Sequence, residues 1–256
     1  MLWYVPDNWS LEDAATVPSV YATCYLALYQ RGEMKKGDKV LIHSGTDDIG
    51  QAAIHLALHE GCEVFTTVGT PEKRKFIREM FPSIPDDHIC NSHNTNFEQI
   101  ILQKTNGQGV DIVLNSLTEE KLQASVRCLA IGGRFLEIGK IDLIANNSLG
   151  MMIFLKEVSF HGIMLDNLVF PSFESKDEKL EEEKMQLYNL LNEGLKNGAI
   201  KPLVRKVFEK NELETAFRYM TGKHIGKVKK INRHCGRFER FSTSFQYFYS
   251  YFTSNE

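Results

Sequence analysis

One run constrains the fold of this chain more than any other: Lys39-Val-Leu-Ile-His-Ser-Gly-Thr-Asp-Asp-Ile-Gly-Gln-Ala-Ala53. A short apolar stretch leads through a Ser-Gly pair into Ile49, Ala53, Leu56 and Ala57, which recur at helical spacing. That order reads as a buried strand, a tight turn and the first turns of a helix. Gly61 is well placed to stop the helix, because glycine just past the last turn adopts the left-handed conformation without steric cost.

The same alternation repeats from about Lys39 to Gly139. Strands are predicted at Val40–His43, Glu63–Thr67, His88–Cys90, Asp111–Asn115 and Arg134–Ile138. Thr70-Pro71 opens a helix with proline at its first position. Thr95 and Glu98 have capping-box spacing for a third helix, and Thr118 heads a fourth carrying Leu122, Val126 and Leu129. Short strands alternating with helices are the signature of a parallel sheet covered by helices, so the predicted class is α/β. Beyond Gly150 the pattern predicts a strand at Val158–Met164 and a long charged helix from Lys179 to Lys196. Pro202–Phe208, a helix at Glu212–Met220 and a strand at Ile225–Ile231 follow, all candidates to complete the sheet. Phe173–Glu183, dense in Glu and Lys, reads as a solvated helix face. From Asn232 to Glu256 the chain is crowded with aromatics and shows no helical or strand period, which reads as a poorly ordered appendage.

Composition narrows the partners. With 43% hydrophobic and 25% charged residues over 256 residues, the chain is globular and long enough for one large domain. A formal charge of −3 provides no basic field for nucleic acid or an anionic membrane, which favours a small-molecule or protein partner. The sequence has no apolar stretch of about 18 residues and no signal-type N-terminus. Cys24, Cys62, Cys90, Cys128 and Cys235 are scattered, with no CxxC pair or Cys/His cluster at zinc spacing. The expectation is a cytoplasmic protein with reduced thiols and no metal site, engaging neither nucleic acid nor membrane.

Gly45 and Gly50 bracket a turn of the kind that holds a dinucleotide. There, glycines let the backbone approach a pyrophosphate, and the helix N-terminus supplies amide donors and partial positive charge. Asp47 and Asp48 oppose that reading. A carboxylate about 5 Å from one phosphate charge, at an effective dielectric near 20, costs roughly 3 kcal/mol, or about two decades of affinity. Asp48, immediately before Ile49, is also placed to cap the helix and occupy donors that a phosphate would use. Weakened nucleotide binding is the expectation from these two residues.

A resemblance extends this reading. Val17-Pro-Ser-Val-Tyr-Ala-Thr23, His43-Ser-Gly45, Phe65-Thr-Thr-Val-Gly69, Glu72-Lys-Arg74, Leu114-Asn-Ser-Leu117, Glu120 to Leu129, Gly133 to Lys140 and Gly222-Lys-His-Ile-Gly-Lys227 form an ordered series. Together they resemble the enoyl reductase domain of animal type I fatty acid synthase, in the zinc-free medium-chain dehydrogenase/reductase family. The similarity runs from about Val5 to Val228 and implies a Rossmann-type, doubly wound parallel sheet that binds NADPH. It puts the pyrophosphate at Gly45 and Gly50, with Thr46, Ile49 and Gly139 as further cofactor-binding candidates. Gly69, Lys73 and Arg74 suit a 2′-phosphate, since a small residue and cations stand where an acid would favour NAD. On their own, the two cations read equally well as exposed helix residues. Asn115, Ser116 and Leu117 match the segment bordering the nicotinamide ribose, and Thr23 matches the nicotinamide side.

The implied reaction is hydride delivery from NADPH to the β-carbon of a 2-enoyl thioester on acyl carrier protein, then protonation at the α-carbon. Lys121 and Asp142 match positions proposed as donors in that family; without the resemblance they read as a first-turn surface lysine and a loop acid. Implied partners are the carrier-bound chain and the other domains of a fatty acid synthase, with a homodimer left open. The family's N-terminal substrate domain is largely absent. Residues 1–18 match its exit, 19–231 the NADPH-binding domain, and 232–256 the aromatic appendage. Asp47 and Asp48 keep open the alternative of a degenerate, non-catalytic module with a structural or interaction role.

Overall fold

The computed structural model describes residues 5–169, 178–220 and 224–230. The aromatic appendage and residues 173–177 of the charged stretch lie outside them. Six strands, β1 (Lys39–Ile42), β2 (Glu63–Val68), β3 (Ile89–Asn91), β4 (Val110–Asn115), β5 (Leu129–Glu137) and β6 (Ser159–Gly162), form one sheet. Its order is β3-β2-β1-β4-β5-β6, and every pairing is parallel. This is the strand order of the doubly wound dinucleotide fold, so the Rossmann-type expectation holds.

The strand sequences are apolar almost throughout because both faces are covered. Val40, Ile42, Ile112, Leu114 and Leu136 point into one core, while the intervening Leu41, Val113 and Phe135 point into the other. Helices α1 (Leu11–Ala14), α2 (Pro18–Tyr25), α3 (Asp48–Glu60), α4 (Pro71–Met80), α5 (Asn96–Lys104), α6 (Glu120–Arg127), α7 (Ile141–Ile144), α8 (Leu165–Val169), α9 (Glu178–Asn197) and α10 (Leu213–Met220) accompany the strands. The first core takes Tyr21 and Cys24 of α2, Ala53 and Ile54 of α3, and Leu187 and Leu191 of α9. The second takes Phe97 and Ile101 of α5 with Leu122 and Val126 of α6.

Several local expectations are corrected. The Thr95–Glu98 capping box does not form: Thr95 occupies the N-cap of α5 without a side-chain bond. The Glu98 carboxylate instead accepts Arg127 Nε and Nη2, both at 2.7 Å. A bidentate arginine pair is the stronger interaction and draws the glutamate off the helix end. α6 begins at Glu120 rather than at Thr118, after a turn in which Glu119 has φ of +56°. β5 begins at Leu129, ahead of the predicted Arg134, because a register shift between Val110 and Ile112 lets Leu129 join β4 early. Of the strands predicted beyond Gly150, Val158–Met164 joins the sheet as β6, whereas the last two do not. β7 (Arg205–Phe208) and β8 (Lys227–Lys230) pair in parallel as a separate two-stranded sheet.

Candidate functional site

In an open parallel sheet, ligands bind outside the carboxyl ends of the strands where the strand order reverses, here between β1 and β4. The chain leaving β1 keeps the ladder for one more residue, with His43 N–H donating to the Leu114 carbonyl at 3.1 Å. It then turns at Ser44, whose φ is +54°. Ser44 Oγ lies 3.1 Å from Ser116 Oγ, so a hydroxyl pair bridges the two loops that flank the reversal. The Gly45 N–H returns to the Thr67 carbonyl of β2 at 3.1 Å. A Cβ on Gly45 would fall 2.2 Å from Thr66 Oγ1, and one on Gly50 would fall 2.2 Å from the Ser44 carbonyl oxygen. Gly50 thus lets α3 touch the strand-to-turn backbone, the close approach that a dinucleotide turn requires.

Beneath the turn, His43 is buried and bonded through both ring nitrogens, to Thr67 Oγ1 at 2.9 Å and Ser125 Oγ at 2.7 Å. The Ser125 hydroxyl donates to the Lys121 carbonyl at 2.6 Å, which assigns the ring proton to Nε2. Burial lowers the His43 pKa to about 3, so the ring stays neutral and ties β1, β2 and α6 together.

The two acids are not bare. Asp47, not Asp48, is the N-cap residue of α3, and it makes no side-chain cap bond. Asp48 sits in the first turn and accepts the Ile49 N–H at 2.9 Å. Lys73 Nζ lies 3.4 Å from Asp47 Oδ1, and Lys227 Nζ lies 3.3 Å from Asp48 Oδ2. Each carboxylate has its own cation nearer than the distance assumed for phosphate repulsion. A cation beside each carboxylate offsets part of the repulsion that a bare acid would exert on a phosphate. Burial raises the Asp47 carboxyl above its ordinary range, against the opposing pull of Lys73 and His224.

The second small sheet is a strap over this turn. Gly226 N–H donates to the Thr46 carbonyl at 2.9 Å, beside Gln51 Nε2 at 2.8 Å. Gly226 has φ of +70°, and a Cβ there would fall 2.1 Å from the Val204 carbonyl oxygen. Thr46 is buried beneath the strap, and its Oγ1 has no hydrogen-bond partner. The glycine contacts and the orphaned hydroxyl fit a phosphate group at this turn, although Asp48 already occupies the Ile49 amide.

At the end of β2, Gly69 packs so that a Cβ would fall 2.8 Å from His93 Nε2. Thr70 caps α4, its hydroxyl accepting the Lys73 N–H at 3.3 Å. Arg74 turns away from the glycine turn. Its guanidinium donates to Asp86 Oδ1 at 2.8 Å, to the Asp86 carbonyl at 2.9 Å and to the Ile89 carbonyl.

At the ends of β4 and β5, fully buried Asn115 donates to Glu137 Oε2 at 2.6 Å and to the Leu117 carbonyl at 2.7 Å. Its Oδ1 accepts the Leu117 N–H at 3.3 Å. Glu137 Oε1 accepts the Gly139 N–H at 2.6 Å. One carboxyl therefore joins both loops. Burial raises its pKa to about 7, partly opposed by the bonds from Asn115 and Gly139. Sequence reasoning missed Glu137, although a lone acid inside Arg134-Phe-Leu-Glu-Ile138 is the available signal.

Residues 49–181, about half of the chain, match the family described as zinc-binding dehydrogenase. This chain belongs to that family. Within it, the similarity is to enoyl reductase domains of multidomain synthases. The nucleotide-binding subdomain of the enoylreductase domain of PpsC from Mycobacterium tuberculosis is 31% identical with a TM-score of 0.60, covering 75% of this chain and 98% of that one. The CurK enoyl reductase is 33% identical with a TM-score of 0.75, covering 90% of this chain and 65% of that one. Among curated proteins, the highly reducing polyketide synthase frbB of Dothideomycetidae sp. is 42% identical over 225 residues, which is 88% of this chain and 8% of that protein. The compactin diketide synthase mlcB of Penicillium citrinum is 43% identical over 225 residues, again 88% of this chain and 8% of that protein. The chain thus spans less than a tenth of these relatives' length. Their names move the expectation from animal fatty acid synthase to polyketide synthase. An enoyl reductase nucleotide-binding subdomain implies a nicotinamide dinucleotide, NADH or NADPH.

Gly45, Gly50, Ser116, Leu117 and Gly139 lie around the carboxyl ends of β1, β4 and β5, with Gly69 and Lys73 beyond β2. Thr23 is half-buried in α2, its hydroxyl donating back to the Ser19 carbonyl at 2.9 Å. Ile49 packs against the first core. Lys121 is in the first turn of α6, with its ammonium 3.7 Å from Glu120. Asp142, in α7, accepts the Glu119 N–H at 3.2 and 3.3 Å and Asn147 Nδ2 at 2.7 Å. Lys121 and Asp142 form no ion pair with each other. Among the described residues, no group of three or more His, Cys, Asp or Glu is placed to hold a metal ion, and no helix is long and apolar enough to cross a membrane.

Proposed function

We propose that this chain is the nucleotide-binding part of an NADPH-dependent enoyl reductase acting on 2-enoyl thioesters carried by acyl carrier protein. The observation that carries the proposal is the bridged switch point, Ser44 to Ser116 beside Gly45, within a fold shared with enoyl reductases at 31–33% identity. NADPH, when bound, supplies the hydride. The residues of this chain bind, orient and protonate. Gly45 and Gly50 allow close approach at the turn, and Asn115 with Glu137 fixes the Leu117 and Gly139 backbone that borders the nicotinamide. Lys121 is the donor candidate whose ammonium has the looser attachment, one contact at 3.7 Å. The Asp142 carboxylate is committed to Glu119 and Asn147, so it acts through the turn that starts α6 and positions Lys121. The names of the curated relatives favour a polyketide-type acyl chain over an animal fatty acyl chain, and other domains of such a synthase as the partners.

Asp48 on the Ile49 amide supports a second reading, a reductase module that no longer binds its cofactor. One titration separates the two. NADPH added to the 256-residue chain and followed by nicotinamide fluorescence is expected to saturate, and an absence of binding by both NADPH and NADH overturns the enzyme reading.

A further inference from the structure

We propose that Asp47 sets the nucleotide preference of this site by holding Lys73, so that a 2′-phosphate must displace a carboxylate before it can be read. The inference rests on the dinucleotide reading above and concerns how that site tells NADPH from NADH. In a doubly wound fold the ribose 2′ position lies near the end of the second strand, where an acid selects the hydroxyl and cations accommodate the phosphate. Two cations stand there in sequence, and the structure separates them. Arg74 is bound to Asp86 and to two backbone carbonyls, so it is committed to the side away from the turn.

Lys73 faces the turn and is only 16% exposed, with Asp47 Oδ1 at 3.4 Å. Its backbone is fixed by the Thr70 cap, which limits where the ammonium can go. Asp48 does not share this role, because Lys227 holds it separately at 3.3 Å. The two adjacent acids therefore do different things. Asp48 anchors the strap, whereas Asp47 is an internal anion seated on the lysine that would recognise phosphate. A phosphate monoester carries about −1.5 to −2 charge at pH 7. It can replace the carboxylate, but the gain is the difference between two anions and not the full value of a free lysine.

Isothermal titration of the full chain with 2′,5′-ADP and with 5′-AMP gives a discrimination ratio that isolates the 2′-phosphate. Asp47→Asn is expected to raise that ratio about tenfold, equivalent to about 1.4 kcal/mol. In the double variant Asp47→Asn, Lys73→Met the rise should vanish. Asp47→Ser, a second uncharged side chain at this position, should reproduce the increase and guards against a folding artefact. A ratio unchanged in both Asp47 variants, with the two nucleotides still bound, overturns the role of Asp47 and leaves the dinucleotide reading intact. A rise that persists without Lys73 also overturns it, because Asp47 would then act as a bare charge. Failure of parent and variants to bind NADPH, NADH or either fragment removes the dinucleotide reading, and this inference with it.

Discussion

Glu137 joins the loops after β4 and β5 through a single buried carboxyl, and its ionisation is the costly step. Its pKa rises from 4.5 to about 7 in the folded protein, so between those values the native state holds a proton that the unfolded chain has lost. The sign follows from linkage: this contribution is fully present below about pH 4.5 and is lost as pH rises through 7. Urea unfolding of the parent and of Glu137→Gln at pH 5 and pH 8 should therefore diverge. The parent is expected to lose on the order of 2–3 kcal/mol relative to the variant at the higher pH. Gly50→Ala tests the turn itself. The added Cβ meets backbone at 2.2 Å and 2.8 Å, so α3 must move, and the expected cost is about 2 kcal/mol or more with loss of nucleotide binding. Denaturant unfolding and the NADPH titration check the two parts. The importance of Gly50 was legible in sequence. The neutralisation of Asp47 and Asp48 was not, because their partners lie in other elements and spacing along the chain does not reveal them.

The elements divide by how local their causes are. Apolar strand runs and helix signals such as Thr70-Pro71 placed the sheet and its covering helices, because those patterns are written within a few residues. Thr70→Ala should remove the α4 cap and cost about 1 kcal/mol in thermal or urea unfolding. Thr95 shows the limit of such signals: the spacing is correct, yet Arg127 from α6 takes Glu98 away. The same limit applies to β7 and β8, whose sequences allowed a place in the main sheet but carry no register. They are tied to the glycine turn through Gly226, and that attachment is open to test. Gly226→Ala places a Cβ 2.1 Å from the Val204 carbonyl in a left-handed conformation, so the strap should detach. Limited proteolysis is expected to cut near Val204 faster in the variant, while the six-stranded sheet stays protected.

Across the whole molecule, one sheet separates two cores, and the chain alternates between them residue by residue. Ile101→Val in α5 and Leu187→Ala in α9 remove volume on opposite faces. Costs of about 0.5–1.5 and 2–5 kcal/mol are expected, additive within about 0.5 kcal/mol because the sites share no partners. A double variant outside that range would show that strain crosses the sheet. The covering of the sheet by helices was readable from the alternation of strand and helix patterns, whereas the closure of the nucleotide turn required the folded chain. That closure also orders events in time. Val204 meets Gln51 across 153 residues of sequence, and Lys227 reaches Asp48 from farther still. Contacts of such separation carry the largest loop-closure cost and form slowly. A growing chain therefore exposes the Asp47-Asp48 turn long before the strap can reach it, and the nucleotide turn is among the last parts of the molecule to be finished.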